Sequence, residues 1–349
     1  MPDLDQISAF AALDSSGLYA LLESTPARLE AAWDLAQALP MPHLPRPAHI
    51  LLAGVGAAGE AASLLAAAAA PASPLPVLAI HDSSLPAFAA GPHSLVMLFC
   101  HSGEMEETLA LFDAAAARGC SIWVVAGGGE LTRRAAAAGT PIWSFSAGPC
   151  AALDLCVFFT LGLAALAHLQ VIPDAAAALG EAVTTLRAAQ AFWNREAPVE
   201  RNPAKRLAGQ LFGRAVNVVA AGQLVPVAQR WKNQFNLLSK TWAQADALPG
   251  AGHNSISGLL NPPGALPHFI SLFLRAPSDD PRNRQRSDFL RRVYMTEGLN
   301  TDTVDARGEG SLAHMWSLLL MGDYAAYYLA MMAEMDPAPL DDLAVQAAI

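Results

Sequence analysis

The sequence predicts an α/β protein whose parallel sheets are covered on both faces by helices. Apolar runs at residues 49–53, 95–100 and 121–126 are each followed by a glycine-containing turn and an alanine-rich helical pattern. Continuous apolar runs of this length are typical of strands buried on both faces. Repeated alternation of strand, turn and helix favours a parallel sheet. With 349 residues, 53% of them hydrophobic, the chain is long enough for two domains.

The first half of the chain contains the clearest alternation. Residues 1–45 are predicted as a helical segment, with helices at 18–22 and 27–39 ended by a cluster of prolines. In the first domain, residues 46–172, we predict strands at 49–53, 76–80, 95–100, 121–126 and 141–145. Helices are predicted between them at 61–70, 106–118 and 130–138, and a last helix runs through His168.

The second half repeats this plan after a helical connector at residues 173–201. In the second domain, residues 202–349, we predict strands at 215–220 and 268–274. The helices are predicted at 205–212, 226–240, 279–294 and 309–332.

Composition and charge exclude several classes of function. The net charge is −10, so neither a broad nucleic-acid surface nor a surface for anionic membranes is expected. The longest apolar run, residues 155–169, is shorter than the ~20 residues of a membrane span and is predicted as a buried helix. The region around Met1 has no signal-peptide pattern, and the four cysteines lack the spacing of a zinc site. We therefore expect a cytoplasmic protein with reduced thiols and no metal or cofactor.

Two local patterns each have two interpretations. Gly54, Gly56 and Gly59 fit a dinucleotide-binding spacing with Asp82 as its acid, but any tight strand–helix turn also favours glycine. The arginines between Arg275 and Arg292 form either a solvated helix face or a replacement set of phosphate contacts.

The loop after residues 95–100 resembles the phosphate loop of the sugar-isomerase (SIS) domain family. In that family a Ser-x-Ser-Gly-x-Thr-x-x-Thr loop holds the phosphate of a phosphosugar. Further runs resemble the C-terminal SIS domain of bifunctional phosphoglucose/phosphomannose isomerases: residues 229–236, Gly252-His253-Asn254, and residues 322–339. The resemblance implies two tandem SIS-type domains, each a parallel sheet flanked by helices on both faces. It also implies a homodimer and a small phosphosugar as the partner molecule.

The resemblance also assigns the site residues. The phosphate loop corresponds to Cys100, Ser102, Gly103, Met105 and Thr108, the family's Gly-Gly-Ser turn to Gly56, Ala57 and Ala58, and its arginine to Cys150. His253 matches the ring-opening histidine. The catalytic base, a glutamate in the family, corresponds to Leu237, and the C-terminal lysine to Ala347. Leucine cannot accept a proton in aldose–ketose isomerisation, so activity is doubtful.

These substitutions leave three hypotheses for function. The chain is an isomerase with rearranged catalytic groups, a non-catalytic sugar-phosphate-binding or regulatory protein, or a structural dimer without ligand. Ser102 either holds an anion or only caps the following helix. His253 is either a ring-opening group or an ordinary loop histidine, and Glu104 adds an unfavourable negative charge to the loop.

Overall fold

The computed structural model describes residues 3–262 and 264–339, except for the side chain of residue 9. The α-helices are α1 (Phe10–Leu13), α2 (Leu18–Glu23), α3 (Thr25–Ala38), α4 (Ala57–Ala69), α5 (Glu106–Ala117), α6 (Gly129–Ala137), α7 (Leu155–His168), α8 (Ala176–Trp193), α9 (Pro203–Leu211), α10 (Val225–Leu237), α11 (Ala251–Asn254), α12 (Pro281–Thr296) and α13 (Ser311–Met332). The strands are β1 (His49–Ala53), β2 (Val77–Ile80), β3 (Ser94–Cys100), β4 (Ser121–Ala126), β5 (Ile142–Ser144), β6 (Ala215–Ala221), β7 (Ala243–Leu248), β8 (Phe269–Arg275) and β9 (Asn300–Asp305).

The chain forms two compact units. The first unit is Ala27–Leu179, and the second unit combines the described residues up to Pro26 with those from Gly180 onward. The boundaries of these units fall within α3 and α8, so they divide the chain at different points from the predicted limits of 46–172 and 202–349. Those limits for the SIS domains themselves stay a prediction.

The first unit contains a five-stranded parallel sheet in the order β2-β1-β3-β4-β5. All five strands lie where the sequence predicted them. Helix α4 packs with α7 on one face, whereas α5 and α6 cover the other face through a core that includes Leu98, Leu111 and Leu131. From β1 the chain adds β2 on one side of the sheet and then β3, β4 and β5 on the other side. The carboxyl ends of the neighbouring strands β1 and β3 are therefore the topological switch point.

The second unit contains a four-stranded parallel sheet in the order β7-β6-β8-β9. Helix α12 packs on one face around Leu290 and Tyr294. Helix α10 packs against both β6 and α13. Every residue of α13 after Ser311 is buried, as expected for a helix that is apolar on all sides. The two sheets confirm the predicted α/β architecture of two parallel sheets flanked by helices.

Two strands of the second unit, β7 and β9, are absent from the sequence prediction. They form the two edges of the four-stranded sheet. Their sequences, AQADAL and NTDTVD, lack a continuous apolar run. Hydrogen bonding to β6 and β8 forms these strands, and an edge strand needs less apolar surface than a central one.

Candidate functional site

The switch point of the first unit brings together two of the predicted site segments. Ala53, at the end of β1, pairs in register with Leu98 of β3, so the loops that follow these strands are neighbours. One loop leads through Gly56 into α4, and the other leads through Ser102 into α5. Neither helix has a side-chain cap at its N-terminus among the described residues. This edge of the sheet therefore presents two helix N-termini, which favour anions.

The glycines of the first loop have local structural reasons. Gly56 has a φ of 58°, in the left-handed region that favours glycine. A Cβ on Gly54 would lie 3.0 Å from the carbonyl oxygen of Phe99, and one on Gly59 would lie 2.8 Å from Nδ1 of His81. The close packing of this turn thus accounts for the glycine spacing without a dinucleotide. Ala57 and Ala58 form the first turn of α4, and Ala58 is buried.

Ser102 does not cap α5. Its Oγ accepts a hydrogen bond from the N–H of Glu104 at 3.1 Å, and the N-cap residue of α5 is Met105. The interpretation of Ser102 as a helix cap is therefore wrong. The side chain is exposed on a tight turn, where its hydroxyl hydrogen is available to a ligand.

Gly103 and Glu104 attach this turn to the start of α6. The carbonyl of Gly103 accepts the N–H of Leu131 at 2.9 Å, and Oε1 of Glu104 accepts the N–H of Glu130 at 3.0 Å. The Glu104 carboxylate is thus bound at the positive end of the α6 dipole. A Cβ on Gly103 would lie only 1.8 Å from the carbonyl oxygen of Gly128.

The remaining predicted loop residues differ in accessibility. The Sγ of Cys100 accepts the N–H of Gly103 at 3.2 Å, and Cys100 is itself buried. Met105 is half-buried. Thr108 is 1% exposed, and its Oγ1 has no hydrogen-bond partner among the described residues. Cys150 is half-buried on the loop that joins β5 to α7.

A charged group that the sequence prediction missed lies beside this loop. The Asp154 carboxylate is 1% exposed and contacts Arg28 and His101; the distance from Oδ2 to Nε2 of His101 is 2.9 Å. Arg28 also donates to the carbonyl of Leu153 at 2.8 Å, and Asp154 accepts the N–H of Gly148 at 2.7 Å. The sequence signal for Asp154 was one acidic residue directly before α7, which is apolar except for Thr160 and His168.

The pKa of Asp154 reflects opposing effects. Burial alone would raise this pKa, but hydrogen bonds from His101 and the Gly148 N–H, together with the charge of Arg28, lower it below the usual aspartate value. Asp154 is therefore ionised. Nε2 of His101 also lies 3.1 Å from the carbonyl oxygen of Gly148. Because both neighbours are acceptors, Nε2 carries a hydrogen, and Nδ1 is the ring nitrogen that these two contacts leave open.

The second unit holds the other residues that the resemblance assigns. His253 is exposed on the short helix α11, and Leu237 is 38% exposed as the last residue of α10. Ala347 lies outside the described residues. The arginine cluster has local partners: Arg275 binds Asp305 and Asp288, Arg282 binds Asp280, Arg284 binds the carbonyl of Ala276, and Arg286 binds Asn283.

Two of the motifs that carry the resemblance in the second half, residues 229–236 and 322–339, contain residues that pack helices together. Arg230 is buried and donates to both oxygens of the Asp323 carboxylate at 3.1 Å. Nε1 of Trp231 donates to the carbonyl of Leu318 at 2.8 Å, and a Cβ on Gly322 would lie 2.4 Å from the same nitrogen. These residues fix α10 against α13, so they specify the fold.

Neither a metal-binding group nor a membrane-crossing helix is found in the described part of the chain. Within residues 3–262 and 264–339, no three His, Cys, Asp or Glu side chains are grouped so that they could hold a metal ion. Over the same residues, no helix combines the length and apolar character needed to cross a membrane.

Comparisons with known proteins agree with this architecture. Residues 200–345 match the family described as the bacterial phospho-glucose isomerase C-terminal SIS domain. The solved structure of a glucose-6-phosphate isomerase like protein from Thermus thermophilus has a TM-score of 0.61 and 20% identity, covering 97% of this chain and 95% of that one. Tagatose-6-phosphate ketose/aldose isomerase from Escherichia coli has a TM-score of 0.68 and 13% identity, covering 93% and 95%. Residues 200–345 are therefore similar to an SIS domain, and the two solved structures share the fold of this chain.

Over most of its length the chain is similar to bifunctional phosphoglucose/phosphomannose isomerases. The protein of that name from Caldicellulosiruptor bescii is 29% identical over 300 residues, which cover 83% of this chain and 86% of the relative. The protein of that name from Aquifex aeolicus is 26% identical over 267 residues, covering 76% and 78%.

Proposed function

We propose that this chain binds a phosphosugar at the switch point of its first unit. The observation that carries the proposal is the pair of helix N-termini without side-chain caps from the described residues, at α4 and α5, beside the exposed hydroxyl of Ser102. The names of its relatives supply the ligand class, because both are phosphosugar isomerases. The Glu104 carboxylate does not oppose the proposal, since it is bound at the start of α6.

We further propose that isomerisation by this protein is slow or absent. Aldose–ketose isomerisation needs a base that moves a proton between C1 and C2, and groups that stabilise the enediol. By the resemblance described above, Leu237 corresponds to the catalytic base, Cys150 to an arginine and Ala347 to a lysine. Each catalytic group contributes about 10²–10⁴-fold, so losing several leaves little turnover. In this proposal the protein is a homodimer in the cytoplasm.

A second candidate function is isomerisation with a rearranged base, and one observation favours it. Asp154 and Gly148 hold Nε2 of His101, so the open Nδ1 belongs to an oriented imidazole one residue from Ser102. An imidazole positioned by a buried carboxylate is an effective proton acceptor. His101 would then act in place of the glutamate that Leu237 replaces.

Calorimetric titration with glucose 6-phosphate tests the binding site. Ser102→Ala is expected to weaken binding by about 1–3 kcal/mol, the range for hydrogen bonds to charged groups. Ser73→Ala is the matched control, because Ser73 Oγ also accepts the N–H two residues ahead, from Leu75 at 3.3 Å. Equal affinity of the Ser102→Ala and Ser73→Ala proteins would contradict the proposed site. Light scattering of the same samples tests the homodimer.

A coupled assay with glucose 6-phosphate, mannose 6-phosphate and fructose 6-phosphate tests turnover. We expect rates well below the ordinary range of ~1–10³ s⁻¹. A rate within that range would overturn the proposal of weak activity. The variants His101→Gln and His253→Gln then show which histidine acts: loss with His101→Gln supports the rearranged base, and loss with His253→Gln alone supports the residue that the resemblance assigns.

A further inference from the structure

A separate cavity lies in the second unit, between the four-stranded sheet and the segment around α11 and α12. Its volume is about 250 Å³, space for on the order of eight water molecules. Polar side chains line one part of it, and Leu259, Leu266 and Phe269 line another. Burial of polar side chains in a core is costly unless each polar atom has a partner.

The polar lining comes from three neighbouring strands. Asn217 of β6 pairs in register with Gln244 of β7 and with Ser271 of β8. Asp246 lies two residues beyond Gln244, so its side chain is on the same face of the sheet. Nδ2 of Asn217 is 3.4 Å from both Oδ2 of Asp246 and Oγ of Ser271.

Asn217 has a buried, unsatisfied acceptor beside this space. The residue is 6% exposed, lines the cavity, and its Oδ1 has no hydrogen-bond partner in the described structure. The orientation of the amide follows from its neighbour, because a carboxylate such as Asp246 accepts hydrogen bonds and the NH₂ group therefore faces it. Oδ1 is therefore an unsatisfied acceptor in the wall of the cavity.

The other polar groups add both donors and acceptors. Ser271 accepts from Asn217, which leaves its hydroxyl hydrogen free to donate. Burial raises the pKa of Tyr294, so its hydroxyl stays protonated, and this hydroxyl is hydrogen-bonded with Ser255. The Asp246 carboxylate is an acceptor beside Asn217, and its Oδ2 lies 3.3 Å from Oγ of Ser255.

This arrangement selects a chemical class of ligand. Hydroxyl groups both donate and accept, as this mixed lining requires, whereas an ammonium group only donates. A phosphate is excluded because it would lie beside the Asp246 carboxylate and the Asn217 carbonyl oxygen. The apolar C–H face of a polyol fits the side formed by Phe269 and the two leucines.

We propose that this cavity is a binding site for a small uncharged polyol, a monosaccharide or its alditol. The site is formed by the second unit alone and requires no phosphate. It is therefore independent of the phosphosugar site at Ser102.

Calorimetric titration of the full chain with sorbitol and with D-glucose tests this site. Asp246→Asn is expected to weaken binding about tenfold or more, because it removes a charged acceptor, and Asn217→Ala about 2–10-fold. Asp302→Asn is the matched control: Asp302 of β9 pairs with Leu272, so it faces the opposite side of the same sheet from Ser271. Its affinity should equal that of the wild type.

Two further measurements separate this site from the phosphosugar site. Sorbitol affinity should be unchanged in Ser102→Ala and in the presence of saturating glucose 6-phosphate. Thermal melts of each variant show that weaker binding is not loss of fold. If sorbitol and D-glucose do not bind the wild type, or if the Asp246→Asn and Asp302→Asn proteins bind equally, the cavity holds only water and the proposal is overturned.

Discussion

Removal of the Asp154 charge is expected to destabilise the first unit strongly. In Asp154→Asn the shape of the side chain is kept, but Arg28 loses its counter-charge and His101 its ionised acceptor. Loss of one partner of a buried ion pair costs about 3–5 kcal/mol. Arg28 and His101 are 19% and 25% exposed, so water compensates part of the loss. We therefore expect a reduction of about 2–4 kcal/mol in the free energy of unfolding.

Native-state amide hydrogen exchange measures this change, because peptides from β3 and β4 report the opening of the first unit. Asp113→Asn is the matched control: it removes a carboxylate of the same unit that pairs with Arg134 but is 61% exposed. An exposed pair contributes about 0–1 kcal/mol. If the two substitutions lower the opening free energy equally, the assignment of Asp154 as the central charge of this loop is refuted.

The pH dependence provides a second test of the same assignment. The pKa of Asp154 is lower in the folded protein than in the unfolded chain, where it has its usual value. Its charge therefore contributes fully above the unfolded pKa, and the contribution is lost as pH falls through the folded one. The difference between wild type and Asp154→Asn should be constant near neutral pH and shrink below about pH 4.

The remaining predictions concern stability and are measured by urea unfolding. Gly103→Ala should lower the free energy of unfolding by at least about 3 kcal/mol, and Gly119→Ala should lower it by about 1 kcal/mol. Both glycines have positive φ, but only at Gly103 does a Cβ meet backbone atoms. Asp323→Asn should cost about 3–5 kcal/mol, because Arg230 is buried. Asp305→Asn, whose carboxylate is 65% exposed, should cost less than about 1 kcal/mol. Similar costs within either pair would contradict the corresponding reasoning.

The sequence predicts those parts of the fold whose cause is local. Strands β3 and β4 are apolar runs buried on both faces, and the turn glycines follow from backbone conformation. The edge strands β7 and β9 were missed because partner strands, and not their own apolar pattern, place them in the sheet.

The same distinction applies to the candidate site. Ser102 and Gly103 were found because strand, turn and helix are consecutive in the chain. The group of Arg28, His101 and Asp154 was missed because it joins residues up to 126 positions apart and has no periodic pattern. Prediction of such a group requires the tertiary fold, which brings α3 to the start of α7.

The residues that carry the similarity to SIS domains and the residues that would perform isomerase chemistry have different physical roles. Trp231, Gly322 and the Arg230–Asp323 pair fix helix α10 against α13, and substitution there costs stability whatever the ligand. Exposed residues such as Ser102 and His253 carry little of the core and can change without loss of fold. A clear similarity in the second unit is therefore compatible with an altered cleft in the first. It follows that unfolding measurements on Asp323→Asn test the fold, whereas titration of Ser102→Ala tests the proposed binding function.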